Sequence, residues 1–143
     1  MLGLLGEIMG CWAVDSFGND TAADWLAEFL ERKNFGLVRE AIGEVVAAEG
    51  YMDAPYGTEG LAAIEVLAAA LGRPTASAQA QEELMAWVSA AKPAVDPDLV
   101  QWALKALDRI SGTESELRDL WEETEDFAEW QEDVASLRSR LQA

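Results

Sequence analysis

Residues 9–25 read MGCWAVDSFGNDTAADW, and this stretch decides how the chain begins to fold. Trp12 and Phe17 lie close together in sequence, with Gly10 and Gly18 beside them. Glycine allows sharp backbone bends, and large rings gain most when they leave water. The stretch therefore predicts an N-terminal aromatic loop that places two rings on a core.

The same stretch carries the signals of a helix start. Asn19, Asp20 and Thr21 are all residue types that accept a hydrogen bond from the free N–H groups of a first helical turn. Thr21 followed by Asp24 imitates a capping box, although aspartate is shorter than the usual glutamate. We expect a helix to begin here, with one of these three residues as its cap.

Three segments carry a resemblance to a known family. They are Met-Gly-x-Trp followed by Phe-x-Asn-Asp-x-Ala-x-Asp-Trp within residues 9–25, EGLAAIEV at 59–66 and SELRDLWEE at 115–123. Together they resemble the bacterial family known only as domain of unknown function 4259, from about Met9 to the C-terminus. The resemblance implies a small stand-alone bacterial protein, and it implies no activity.

Hydrophobic residues recur at helical spacing along the rest of the chain, and strand-like alternation does not persist. The predicted helices are 22–32, 37–49, 58–71, 76–91, 97–110, one from about 116 that breaks near Thr124, and 127–141. Thr113 with Glu116 predicts a capping box for the helix that begins near 116. From Leu61 to Leu71 the third helix is apolar on every face except at Glu65, so it should lie at the centre of the fold. The fold class predicted is all-α, a single compact domain of about seven helices with an N-terminal aromatic loop. Residues 1–8 are interpreted as an N-terminal extension, and residues 9–143 as the single helical domain.

The composition excludes several classes of function. The chain has 27 acidic and 10 basic residues, a net charge of −17, and no histidine. Strong acidity disfavours binding to nucleic acid and to anionic membranes. Without histidine, Ser-His, Cys-His and histidine-based zinc chemistry cannot operate. The acids of the first loop also fail the EF-hand pattern, so no cofactor and no metal site is predicted.

Cys11 is the single cysteine of the chain, so no intramolecular disulfide can form. A reducing cytoplasm is the expected location, and we interpret Cys11 as a buried, inert thiol. No apolar run reaches the roughly 18 to 20 residues of a membrane span, so no membrane association is expected.

Glu65 is the one acid within the apolar run from Leu61 to Leu71 of the third helix. A buried carboxyl group must be paired, hydrogen-bonded or protonated. The functional interpretation is an active-site acid. The structural interpretation, which we favour, is an acceptor bonded to a loop N–H, a tryptophan N–H or an arginine.

Residues 113–133 contain ten acids and one base, which amounts to −9 of the net −17. Trp121, Phe127 and Trp130 lie among these acids. One interpretation is a solvated helix face with buried rings. The other is an acidic surface that attracts a basic partner, with Glu122, Glu123, Asp126, Glu129 and Trp130 as its partner-binding residues.

Three functional hypotheses follow. The first is a non-enzymatic protein-binding module of the cytoplasm, such as an immunity or inhibitor protein for a basic toxin or nuclease. The second is a carboxylate-based enzyme that uses Glu65, Asp20 and Asp24. The third is a DNA-mimic inhibitor.

The last helix has a narrow apolar seam that fits either docking onto the domain or pairing with a second copy as a homodimer. If the acidic surface does not bind a partner, the N-terminal loop or the connector 51–57 remains as the binding site.

Overall fold

The computed structural model describes Phe17 and residues 19–142. This part of the chain forms eight helices and no strand. They are α1 (Asp20–Arg32), α2 (Phe35–Ala47), α3 (Ala54–Ala70), α4 (Ala76–Gln79), α5 (Glu82–Ala91), α6 (Pro97–Ile110), α7 (Glu116–Glu122) and α8 (Phe127–Gln142). The predicted all-α fold is confirmed. The predictions for Trp12, for Cys11 and for residues 1–8 lie outside the described residues.

The eighth helix arises because the predicted helix 76–91 is two helices. Gln81 leaves the helical conformation, with φ −93° and ψ 88°, and separates α4 from α5. Thr75 precedes α4, and its hydroxyl accepts a hydrogen bond from the N–H of Ala78. Since no glycine or proline marks the break, the hydrophobic pattern alone predicted one continuous helix.

Helix α3 is the centre of the fold, as the sequence predicted. It contacts every other described helix, and most of its residues after Tyr56 are buried. Gly60 allows α2 and α6 to approach this helix closely. A Cβ atom at Gly60 would lie 2.7 Å from Cγ2 of Val45 and 3.3 Å from Cδ1 of Ile110. The small residue therefore sets the distance at which the three helices cross.

The connector before α3 is more ordered than predicted. Met52 forms an isolated parallel bridge with Ser115, and α3 begins at Ala54 rather than near Thr58. Asp53 makes no side-chain cap hydrogen bond. Instead, the N–H of Ala54 donates to Oε1 of Glu116, at 2.7 Å. Because a residue distant in the sequence stabilises the start of α3, the local sequence did not predict where this helix begins.

Asn19 is the cap of α1. Its Oδ1 accepts a hydrogen bond from the N–H of Ala22 at 2.9 Å, and Asp20 is the first helical residue. The predicted cap is therefore confirmed, while the alternative capping box of Thr21 and Asp24 is wrong. Because the helix already begins at Asp20, Thr21 lies within the first turn and cannot be its cap.

Two predictions about the C-terminal helices are resolved. The capping box of Thr113 with Glu116 is wrong, because Ser115 caps α7 and accepts from the N–H of Arg118. The apolar seam of α8 is buried within the chain at Trp130, Val134, Leu137 and Leu141. The seam therefore docks onto its own domain, against α3, α6 and α7.

Candidate protein-binding surface

Five acids are exposed around the turn from α7 to α8, and the four predicted as partner-binding residues are among them: Glu122, Glu123, Asp126 and Glu129. We call these four residues the acidic face. Glu122 forms an ion pair with Arg118, 3.6 Å between Nη2 and Oε2, and it is the one ion pair of this face among the described residues. Most of the negative charge of the acidic face therefore points to solvent uncompensated by a base.

The aromatic rings beneath the acidic face belong to the core. Trp121 and Trp130 are buried, and Phe127 packs parallel to Trp130 with 6.2 Å between ring centroids. Trp130 is only 2% exposed, so a partner cannot contact its ring on the surface. We therefore remove Trp130 from the partner-binding residues and keep the four acids.

The chain breaks between α7 and α8 near Thr124, as predicted. Two hydrogen bonds fix the geometry of this break. The Thr124 hydroxyl donates to the carbonyl oxygen of Trp121 at 2.7 Å and accepts from the N–H of Asp126 at 3.1 Å. The guanidinium group of Arg118 lies over the ring of Phe127, 5.6 Å from its centroid. These contacts hold the end of α7 against the start of α8 and so fix the turn that carries the acidic face.

A groove lies where the C-terminal end of α2 meets the start of α3. It has a volume of about 380 Å³, and its walls include Tyr51, Tyr56 and the acids Glu44, Glu49 and Asp53. We call it the tyrosine groove. The rings of Tyr51 and Tyr56 are 54% and 46% exposed. About half of each ring is therefore accessible to a ligand.

Tyr51 links the tyrosine groove to α7. Its hydroxyl donates to Oδ2 of Asp119 at 2.6 Å. This hydrogen bond, followed by burial and by the charges of Asp119, Glu116 and Asp53, raises the pKa of Tyr51 to about 12. The phenol therefore stays protonated and keeps its donor role at neutral pH.

A second concentration of acids lies between α1, α2 and α3. Glu28, Glu40, Glu44 and Glu59 surround a small recess beside Trp25. Burial, and then the charges of Glu44, Glu28 and Glu40, raise the pKa of Glu59. Glu44 lines both this acidic recess and the tyrosine groove, so the two lie side by side.

Glu65 is buried, with only 3% of its surface exposed. The hydroxyl of Thr75 donates to its Oε1 at 2.6 Å. Glu65 is thus a hydrogen-bond acceptor, as the structural interpretation predicted, and the hydroxyl of Thr75 is one of its partners. An adjacent cavity of about 220 Å³ is lined in part by Asp133 and Arg140.

The other acids of the enzyme hypothesis lie elsewhere. Asp20 and Asp24 are exposed in the first turns of α1 and do not line the cavity beside Glu65. Phe17, at 7% exposure, is part of the core, as predicted for the aromatic loop. In the described residues, no group of three or more histidine, cysteine, aspartate or glutamate side chains is arranged to hold a metal ion.

The sequence did not indicate that Tyr51 and Tyr56 lie in one groove, or that Asp119 links Tyr51 to α7. The local signal was the turn-rich composition of residues 51–57. The exposure of the rings depends on how α2 ends and on where α7 docks, and both are tertiary features. None of the described helices has the length and hydrophobicity to cross a bilayer.

Fold and surface define a small all-α protein with an acidic exterior and an aromatic groove. The chain belongs to the family described as Domain of unknown function (DUF4259), whose model matches residues 10–133. This agrees with the resemblance seen in the sequence, and the description of the family gives no activity. No curated protein and no solved structure matches the chain.

Proposed function

We propose that this protein is a non-enzymatic binding module of the cytoplasm that covers a basic surface on a partner protein. An immunity or inhibitor protein for a basic toxin or nuclease is the concrete form of this proposal. The partner approaches the acidic face first, because long-range attraction between opposite charges accelerates encounter.

The observation that carries the proposal is the uncompensated exposure of the acidic face. Ten of the 27 acids fall between residues 113 and 133, against a single base. The rings that fold α7 and α8 are buried beneath these acids, so the carboxylates are not needed to shield them. Like charges at this density repel each other, so the exposed acids of the acidic face disfavour the fold rather than stabilise it. A basic partner would turn that repulsion into attraction.

The enzyme hypothesis has less support. Its three acids do not share a cavity, and the hydrogen bond from Thr75 gives Glu65 a structural role. The DNA-mimic hypothesis differs from ours in the nature of the partner, which would then be a DNA-binding protein other than a toxin or nuclease. The experiment below identifies the partner and so separates the two.

The test is affinity capture from the native host at low salt with three forms of the protein. They are the wild type, the double reversal Glu122→Lys with Glu123→Lys, and the control reversal Glu82→Lys with Glu83→Lys. All four positions are exposed adjacent glutamates, so both variants change the net charge equally. We expect the wild type and the control to retain one basic protein that salt releases, and the Glu122/Glu123 variant to lose it.

Two outcomes contradict the proposal. One is that no basic protein is enriched over the background of an unrelated acidic protein. The other is that the control reversal loses the partner as completely as the Glu122/Glu123 reversal, because the protein would then act only through its net charge.

A further inference from the structure

The tyrosine groove combines three features that all favour one kind of ligand. Carboxylates of Glu44, Glu49 and Asp53 stand around it, and no lysine or arginine of the described chain lines it. The exposed rings of Tyr51 and Tyr56 offer aromatic faces. Their electron-rich faces attract cations, as the carboxylates do.

The backbone at the C-terminal end of α2 also favours a cation in the tyrosine groove. Helix α2 ends at Ala47, and the cap residue Ala48 lies on the wall of the groove. The last carbonyl groups of a helix carry a partial negative charge, which stabilises a cation placed beside them. The last turn of α2 has no basic side chain to occupy that position.

The position of the groove relates it to the acidic face. Asp119, which accepts the hydrogen bond from Tyr51, lies three and four residues before Glu122 and Glu123 on the same helical run. Residues at these spacings lie on one side of a helix. A partner that covers the acidic face therefore reaches the edge of the groove.

We propose that the tyrosine groove receives an arginine side chain of the basic partner, and this rests on the function proposed above. A guanidinium group is planar, so it stacks on a tyrosine ring while its N–H groups donate to carboxylates at the rim. Lysine offers only a point charge, and it fits the stacked arrangement less well. Buried arginines anchored beside tyrosines are frequent hot spots of protein interfaces.

The inference can be tested without the partner. The probe is N-acetyl-arginine methylamide, titrated into the isotope-labelled protein and followed by nuclear magnetic resonance. The matched control compound is N-acetyl-citrulline methylamide, which has nearly the same shape and no charge. We expect the arginine compound to shift the resonances of residues 44–56, and the citrulline compound to leave them unchanged.

Variants locate the contact. Tyr56→Ala should weaken binding of the arginine compound about 3- to 30-fold, which corresponds to the loss of one cation–π contact. Tyr56→Phe keeps the ring and should bind like the wild type. Because Tyr56 is half exposed, its truncation leaves no cavity, and the melting temperature should show that both variants are folded. The control reversal at Glu82 and Glu83 should bind the arginine compound normally.

The inference is overturned if the arginine compound leaves residues 44–56 unshifted, or if Tyr56→Ala binds it as tightly as the wild type. The inference can fail while the proposed function stands. If the Glu122/Glu123 reversal abolishes association with the partner while Tyr56→Ala does not change it, the binding module stands and the arginine groove does not.

Discussion

Replacing Thr75 by valine should destabilise the fold substantially, although the two side chains have nearly the same shape. The Thr75 hydroxyl makes two hydrogen bonds: it donates to Glu65 and accepts from the N–H of Ala78. Thr75 is 9% exposed and Glu65 3% exposed, so water cannot readily replace the lost donor. The loss of a hydrogen bond to a buried carboxyl group costs about 1 to 3 kcal/mol. The loss of the cap of α4 adds about 0.5 to 1 kcal/mol.

The expected total is about 1.5 to 4 kcal/mol, or roughly 5 to 12 °C in melting temperature for a domain of this size. Urea unfolding followed by circular dichroism measures it, with Thr75→Ser as the control that keeps both hydrogen bonds. Glu65→Leu should cost about 1 to 3 kcal/mol on its own, and Glu65→Gln much less. In the double variant the losses should not add, since the two residues share one interaction. Equal stability of the valine and serine variants would refute the assignment of Thr75 as the partner that Glu65 requires.

Three further predictions concern packing, pH and capping. Gly60→Ala should destabilise the fold by about 1 to 3 kcal/mol, because the new methyl group meets Val45. This loss should exceed the gain from the better helix propensity of alanine, and urea unfolding measures it. An unchanged unfolding midpoint would show that the helices can separate to admit the methyl group. The raised pKa of Glu59 means that the folded state binds its proton more tightly, so stability falls as pH rises above 4.5 through the folded-state pKa. Glu59→Gln should therefore melt higher than the wild type at neutral pH and lose that advantage below pH 4.5, and a constant difference at both pH values would contradict this. Asn19→Ala should cost about 0.5 to 2 kcal/mol by freeing the N–H of Ala22, whereas Asn19→Asp should be tolerated.

The sequence predicted those features that depend on neighbouring residues. Helical periodicity located α1, α2, α6 and α8, and the uniformly apolar surface of α3 showed that it is central, because a helix without a polar face must be surrounded. Asparagine at position 19 was among the predicted caps, since a short side chain next to a helix start can only reach its own first turn.

Features built by distant residues could not be predicted in this way. Glu116 caps a helix that begins 62 residues earlier, which shifted the start of α3 away from the local signal. Thr75 became the partner of Glu65 only through the turn that follows α3. Tyr51 gained its exposed position and its bond to Asp119 from the docking of α7. Each of these contacts depends on tertiary packing and has no counterpart in local pattern.

Of the candidate binding surface, the acidic face is the part that could be predicted from the charged residues of the sequence alone. Clusters of acids are visible in any sequence, but the burial of a ring among them is not. Trp130 has the spacing of a core residue and the neighbours of a surface residue, and the structure assigns it to the core. Composition therefore located the acidic surface, but the burial of each side chain in the structure decides which of its residues a partner can contact.

The central claim is that the acidic face steers a basic partner, and the rate of association tests it most directly. Once the partner is purified, stopped-flow association should be measured at low and high salt for the wild type, the Glu122/Glu123 reversal and the Glu82/Glu83 control. The account predicts that at low salt the Glu122/Glu123 reversal slows association at least about tenfold more than the control does, and that salt slows the wild type far more than this variant. Fold stability should be nearly unchanged, because exposed charges contribute little individually. Association that is indifferent to both the reversal and salt would contradict the account, and the acidic face would then be a solubilising surface only.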